Sequence, residues 1–175
     1  MQDLDPPAIP FLFKLDTELR KSKFTVWRNI SWHDGSEIPI FAFKNCWFVS
    51  QFSISLFLKD TDRVSVNDLN LLTEACLQYL ERPRSKSTKA PWSTPYLIIL
   101  ILVSEHLAQE AIDFVCKNDA IKKHNIFWKE VSVCPVLINS NIDQIYYSQK
   151  KQLFGGALYH WLFKNLVERL IVQNL

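Results

Sequence analysis

An unbroken apolar run occupies residues 95–103, PYLIILILV. Its length fits one strand buried on both faces and is too short to span a membrane. Such a strand needs a covering layer on each side, and amphipathic segments at 66–80, 107–116 and 157–172 can supply these layers. The pattern therefore predicts a layered α+β or α/β domain in which helices cover a mixed sheet.

In the first half of the chain, the spacing of apolar residues changes from a helical to a strand-like period. Residues 1–10 hold three prolines and predict an extended lead-in, so that a single globular domain would occupy 11–175. Helical spacing of apolar residues then predicts a helix over 11–21. From Lys23 onward, β-branched and aromatic residues alternate with polar ones and predict an antiparallel meander of three strands. Its first turn is expected at Asp34-Gly35.

After the meander, the period returns to that of a helix. Ser65 or Asn67 is expected to cap a helix over 66–80, which Pro83 ends. Beyond the buried strand, Ser104 or Glu105 is expected to open the next helix. The remaining predicted elements are a strand parallel to the buried one at 126–138, a hairpin arm at 142–148 and a long helix from Ala157.

The predicted order over 11–103, a helix, three meandering strands, a helix and a buried strand, is similar to the core of the PD-(D/E)xK nuclease-like superfamily. Such nucleases place an acid near the start of one central strand and an acid-x-Lys pair on the next, so that two carboxylates hold a divalent ion. Here those strands are IPIFAFK and WFVSQFSISLFLKD, and the second has no carboxylate before Asp60. The resemblance therefore implies an architecture, and no catalytic residue is carried over from it.

Composition and charge narrow the function classes. The formal net charge is +2, which is too small to indicate nucleic acid or an anionic membrane as a partner. The four cysteines have neither zinc-ligand nor disulfide-framework spacing, and the four histidines are scattered. We therefore predict no metal, no cofactor and no catalytic residue. The amino terminus lacks the pattern of a secretory signal, and reduced core thiols then predict a cytoplasmic protein with no membrane association.

The most electropositive segment lies between the second helix and the buried strand. It is rich in proline and serine and contains no acid over residues 82–95. Basic side chains followed by a tryptophan combine phosphate-seeking charge with a stacking ring. The candidate contacts for an anion or a nucleic acid are Arg82, Arg84, Lys86, Lys89 and Trp92. The same loop could bind an acidic protein, or serve only to keep the chain soluble.

The last helix carries a broad apolar band with additional aromatic residues around it. Trp161, Phe163 and Val167 are the candidate self-association residues, which predicts a homo-oligomer, with a dimer favoured. An aromatic-rich core is the alternative explanation. Taken together, the patterns favour a non-catalytic interaction or regulatory module. The alternative is a nuclease-like domain, or a degenerate one that binds nucleic acid.

Overall fold

A computed structural model describes residues 10–32, 35, 37–47, 51–81, 96–118, 121–126, 129–148 and 157–174. The α-helices of these residues are α1 (Pro10–Lys21), α2 (Val66–Glu81), α3 (Gln109–Lys117) and α4 (Ala157–Leu170). A short 3-10 helix, Val172–Asn174, follows α4. The strands are β1 (Thr25–Ser31), β2 (Glu37–Trp47), β3 (Gln51–Asp60), β4 (Arg63–Val64), β5 (Tyr96–Ser104), β6 (His106–Leu107), β7 (Ile121–Ile126), β8 (Lys129–Asn139) and β9 (Gln144–Tyr147).

The main sheet of the described residues has seven strands in the order β1-β2-β3-β5-β8-β7, and β9 also pairs with β8. β1, β2 and β3 form the predicted antiparallel meander. β3, β5 and β8 are parallel, while β7 and β9 run antiparallel to β8. A second, two-stranded sheet consists of β4 and β6 in parallel. The mixed sheet with covering helices confirms the predicted α+β class.

β5 explains why the chain needs its long apolar run. Every residue of this strand is buried, and its side chains alternate between two hydrophobic cores. Leu97 and Ile99 belong to the core that α1 and α4 cover, whereas Ile98 and Leu100 belong to the core beneath α2 and α3. A strand with helices on both faces has no side open to solvent. Polar side chains at alternate positions would therefore be buried without hydrogen bonds to water.

The amino ends of the two middle helices have different structures. Ser65 and Asp68 form a reciprocal capping box, because the Ser65 amide donates to Asp68 Oδ2 at 2.8 Å and the Asp68 amide donates to Ser65 Oγ at 3.3 Å. α3 does not open at Ser104 or Glu105 as predicted. Its N-cap is Ala108, which makes no side-chain capping bond. The prediction was wrong because the intervening residues form β6 and pair with β4.

β8 contains a proline, Pro135, which lies at a gap between the two strands that pair with one edge of β8. β7 pairs with residues 129–133 of β8, and β9 pairs with residues 136–139 on the same side of the sheet. Pro135 lies between the two, where neither β7 nor β9 has a register partner for it. A residue without an N–H fits such a gap in the ladder. The parallel strand was predicted from residue 126, but β7 was not expected.

The outer hairpin changes face halfway along. Ile38 belongs to the core under α2 and α3, whereas Ile40, two positions later, belongs to the core under α1 and α4. Regular pleating would place both side chains on the same face. Opposite the intervening Pro39 the partner strand has Asn29 with φ 49°, a left-handed conformation that asparagine tolerates. Before Pro39, the side chains of β2 therefore lie on the opposite face from the one that regular alternation would give them.

Candidate functional site

The candidate site lies where the three parallel strands end. In the sheet register Asp60 of β3 is beside Val103 of β5, and Ser104 of β5 is beside Asn139 of β8. The carboxyl ends of these strands therefore meet at one edge of the sheet. The segments that leave them converge there, which is the usual place for a ligand in sheets of this kind.

Ser104 joins two of these segments. Its side chain is buried, and its Oγ lies 3.0 Å from the carbonyl oxygen of Asp62 and 3.3 Å from that of His106, to either of which it can donate. The same Oγ accepts a hydrogen bond from the His106 amide at 3.1 Å. Because β4 and β6 start beside this hydroxyl, it holds the small parallel sheet in place at the end of β5.

The turn between β8 and β9 is bound to the same edge. The Ser140 amide donates to the carbonyl oxygen of Ser104 at 3.1 Å, and Asn141 Nδ2 donates to the carbonyl oxygen of Glu105 at 3.3 Å. Within the turn, the Asn141 amide donates to Asn139 Oδ1 at 3.0 Å. Three segments that are distant in sequence thus form one hydrogen-bonded platform.

A cleft of about 500 Å³ opens on this platform, within the size range of small-molecule sites. Its lining consists of Arg63, Glu105, His106, Leu107, Ala108 and Asn139. The cleft therefore offers one guanidinium, one carboxylate, an imidazole and an amide beside the apolar side chains of Leu107 and Ala108. The first turn of α3 starts at its wall, where helix amides point toward the amino end of the helix.

The two formal charges of the cleft have no counter-ion among the residues that the structure describes. In the part of the chain that the structure describes, neither the Arg63 guanidinium nor the Glu105 carboxylate forms an ion pair, including with each other. Both side chains are exposed. The cleft thus presents opposite charges that are free to engage a ligand.

The cysteines do not contribute an activated nucleophile to this site. Burial raises the pKa of the thiols of Cys76 and Cys134 far above the usual range. Burial also raises the pKa of Cys46 and of Cys116, and nearby Asp113 adds to the effect at Cys116. A reactive thiolate needs a lowered pKa, so these four thiols have the character of structural cysteines. Within the described ranges, no group of three or more His, Cys, Asp and Glu side chains could hold a metal ion.

The basic-loop candidates Arg82, Arg84, Lys86, Lys89 and Trp92 lie outside the described residues. Of the self-association candidates, the side chain of Trp161 is likewise outside them. Phe163 and Val167 are fully buried in the core that α1 and α4 cover, and the Phe163 ring packs against Tyr147 at 6.2 Å. These two side chains point inward because they fill the space between α4 and the sheet, so they present no surface to a second copy.

On the strand that would carry a nuclease site, an aromatic side chain occupies the position where the nuclease pattern needs an acid. Lys59 lies near the end of β3, and Phe57 occupies the position two residues before it, where an acid-x-Lys pair requires a carboxylate. The Phe57 ring is 4.8 Å from that of Phe41 and 5.7 Å from that of Tyr79. Lys59 Nζ lies 6.0 Å from the ring centre of Trp32, a cation–π distance.

Sequence reasoning did not identify the cleft. His106 was only one of four scattered histidines, and Glu105 was expected to be a helix opener. The available signal was positional: Glu105 and Asn139 both follow apolar runs that form parallel strands. Polar residues just after such strands are candidates for a common site, but only the strand order shows which of them meet.

No helix of the described residues has the length and apolar character needed to cross a membrane. A scan of the chain against models of known protein families found no matching family, and searches of curated proteins and of solved structures found no match.

Proposed function

We propose that this protein is a non-catalytic interaction or regulatory module that binds a small ligand in the carboxyl-edge cleft. The observation that carries the proposal is the cleft itself, which three hydrogen-bonded segments build and in which Arg63 and Glu105 have no counter-ion among the described residues. Unpaired charges on a preformed surface favour binding, since the protein has little to rearrange before it takes up the ligand.

A binding role is supported further by the kinds of side chain present. The described lining combines charged groups, hydrogen-bonding groups and a small apolar surface, a mixture that is common in ligand sites. On β3, the acid position of the nuclease pattern is held by Phe57. The four thiols are free, which supports a reducing, cytoplasmic setting.

The test is an NMR screen of the full chain against pools of small charged and polar compounds. We expect some compounds to shift the backbone amides of His106, Leu107 and Ala108, and we expect the double variant Arg63→Ala/Glu105→Ala to lose these shifts. The control is Lys164→Ala/Glu168→Ala, which removes an exposed ion pair from α4 on the other side of the sheet. Compounds that bind both double variants equally well would contradict the proposal.

Self-association is a second candidate, and one surface favours it. Phe13 on α1 is 55% exposed and Val172, in the 3-10 helix that contacts α1, is 46% exposed. A contact through this layer would remove both apolar side chains from water. We expect a homodimer whose dissociation constant rises in Phe13→Ala and Val172→Ala, as measured by sedimentation over a range of concentrations. A chain that stays monomeric at every concentration would contradict this candidate.

A nuclease-like or degenerate nuclease-like domain remains the alternative, and the strand arrangement favours it. α1, the β1-β2-β3 meander, α2 and the parallel β5 follow the order that the resemblance implies. Its test is binding of a short DNA duplex over a range of salt concentrations, with a variant in which Arg82, Arg84, Lys86 and Lys89 are replaced by glutamine. A smaller salt dependence in the variant would support contacts between this loop and phosphates. An unchanged salt dependence would argue against such contacts. If the loop binds an acidic polypeptide but no DNA, its partner is a protein.

A further inference from the structure

We propose that the ligand of the cleft is a small zwitterion of the amino-acid type, with one carboxylate and one primary amine. This inference rests on the proposed function and narrows it to a ligand class. Arg63 and Glu105 line the same cleft and carry opposite formal charges, and no side chain in the described part of the chain forms an ion pair with either of them. The ligand that satisfies both must bring an anionic and a cationic group of its own.

The register of the small sheet brings the backbones of Arg63 and Glu105 close together, although the two residues are distant in sequence. Arg63 is the parallel partner of His106, and Glu105 immediately precedes His106. A simple anion would be attracted by the guanidinium and repelled by the carboxylate nearby, and a simple cation would meet the reverse situation. Only a molecule with both groups gains at both side chains.

The polar groups around Arg63 suit a carboxylate. Asn139 Oδ1 accepts a hydrogen bond from the Asn141 amide, and the Asn139 Nδ2 group, which makes no hydrogen bond within the described ranges, can donate to a ligand. The wall at Ala108 is the amino end of α3, where no side chain caps the helix and the helix dipole favours negative charge. We therefore expect the carboxylate between Arg63 and this wall.

The remaining groups suit the amine and a short side chain. The backbone of Glu105 is held in place, because its carbonyl oxygen accepts the Asn141 Nδ2 hydrogen bond, while its carboxylate is exposed to solvent. This carboxylate can accept the donors of an ammonium group, a charge-assisted pair. Leu107 and Ala108 add a small apolar surface that an aliphatic side chain can cover. L-Leucine is therefore a suitable probe, since it carries all three features.

The experiment titrates the full chain with three probes and follows the backbone amides of His106, Leu107 and Ala108 by NMR. L-Leucine has both charges, N-acetyl-L-leucine keeps only the carboxylate, and L-leucinamide keeps only the amine. Because the cleft is open to water, we expect L-leucine to bind with a dissociation constant on the order of a millimolar. We expect each singly charged analogue to bind roughly tenfold more weakly, which corresponds to the loss of one charge-assisted contact.

Single charge-removing variants then separate the two contacts. Arg63→Gln should weaken L-leucine and N-acetyl-L-leucine but leave L-leucinamide unchanged or tighter. Glu105→Gln should weaken L-leucine and L-leucinamide but leave N-acetyl-L-leucine unchanged or tighter. The matched controls Lys164→Gln and Glu168→Gln, on α4, should leave all three titrations unchanged. A merely destabilised cleft would weaken the three probes together in every cleft variant, and that result would overturn the proposal.

The outcomes distinguish this inference from the proposed function. Equal affinity for L-leucine and one of its singly charged analogues would overturn the zwitterion and leave cleft binding intact. If none of the three probes shifts the backbone amides of the cleft, the proposal of a zwitterionic ligand is also overturned. The broader screen of the preceding section would then decide whether the cleft binds anything, since it does not depend on this ligand class.

Discussion

Arg28 Nη2 donates a hydrogen bond to Asp16 Oδ2 at 2.5 Å and so joins the first helix to the edge strand of the sheet. Arg20 Nε also donates to Asp16, at 3.1 Å to each carboxylate oxygen. The Asp16 side chain is 5% exposed, whereas that of Arg28 is 24% and that of Arg20 is 53% exposed. One nearly buried carboxylate therefore serves two cations that both reach toward water.

Replacing Asp16 tests the contribution of this network. Asp16→Asn removes the carboxylate and leaves Arg28 partly buried beside a neutral amide. Removing one partner of a fully buried ion pair lowers the free energy of unfolding by about 3–5 kcal/mol. Because both arginines are partly exposed to water, we expect a smaller loss of about 2 kcal/mol here. The measurement is urea unfolding at neutral pH.

Asp113→Asn is the matched control, because Asp113 pairs with Lys117 on the exposed side of α3 and both side chains are largely accessible to water. The same chemical change should leave the unfolding midpoint unchanged there. Equal effects at both positions would show that the network around Asp16 has no special role in stability.

The same carboxylate predicts how stability depends on pH. Burial raises the pKa of Asp16, but the hydrogen bonds from Arg28 and Arg20 outweigh burial, so that its pKa in the folded protein lies below the ordinary value of 3.8. The unfolded chain then binds more protons than the folded chain below that value, and stability rises with pH. The contribution of Asp16 is therefore fully present above pH 3.8 and is lost as the pH falls through the lower folded-state pKa.

The measurement is the difference in unfolding free energy between the wild-type protein and Asp16→Asn at several pH values. This difference should stay nearly constant from about pH 6 to about pH 5 and should shrink as the pH is lowered to about 3 and below. A constant difference over the whole range would contradict the lowered pKa.

Two phenylalanines on the same helical layer should respond differently to truncation. Phe163 is fully buried, whereas Phe13 is 55% exposed. Phe163→Ala should lower the free energy of unfolding by about 3 kcal/mol or more, since it removes a core side chain and leaves a cavity. Phe13→Ala should have little effect on the unfolding of the monomer.

Thermal unfolding at several protein concentrations provides the measurement. The loss in Phe163→Ala should be independent of concentration, because the side chain acts within one chain. An effect of Phe163→Ala that disappears on dilution would instead place Phe163 at a subunit contact.

The four thiols should divide into two classes of reactivity. Cys76 and Cys134 are buried with raised pKa values, whereas Cys46 and Cys116 are partly accessible. In the native protein an aromatic disulfide reagent should modify Cys46 and Cys116 slowly and leave the other two intact. Peptide mass spectrometry identifies the modified residues, and all four should react in denaturant. Early modification of Cys76 or Cys134 in the native state would contradict the described core.

Much of the secondary structure was predictable because it depends on local periodicity. The apolar spacing over 11–21 becomes α1, and the alternation before and after residues 34–35 becomes the β1-β2 hairpin, although Asp34 of the predicted turn lies outside the described residues. Ser65 was one of two expected caps, and its partner three residues later completes the capping box. A polar residue at the site where a helix begins is a short-range signal, so tertiary contacts are not needed to find it.

Other features depended on pairings that no local pattern contains. α3 begins late because β6 pairs with β4, which lies more than forty positions earlier in the chain. Ile38 and Ile40 look equivalent in an alternating strand, yet the irregularity at Asn29 and Pro39 sends them to different cores. On α4 the apolar band could indicate either a core or a contact surface, and the position of the sheet turned Phe163 and Val167 inward.

By itself the sequence determined that the apolar run predicted at 95–103 contains a strand with no solvent face, because such a run is stable only between two covering layers. It also determined the helices whose apolar spacing could cover that strand. Only the tertiary structure decided that β3, β5 and β8 end side by side and bring Arg63, Glu105 and Asn139 to one cleft. The reason is physical: strand order arises from long-range hydrogen bonding and packing, whereas periodicity reports only which side of an element is buried.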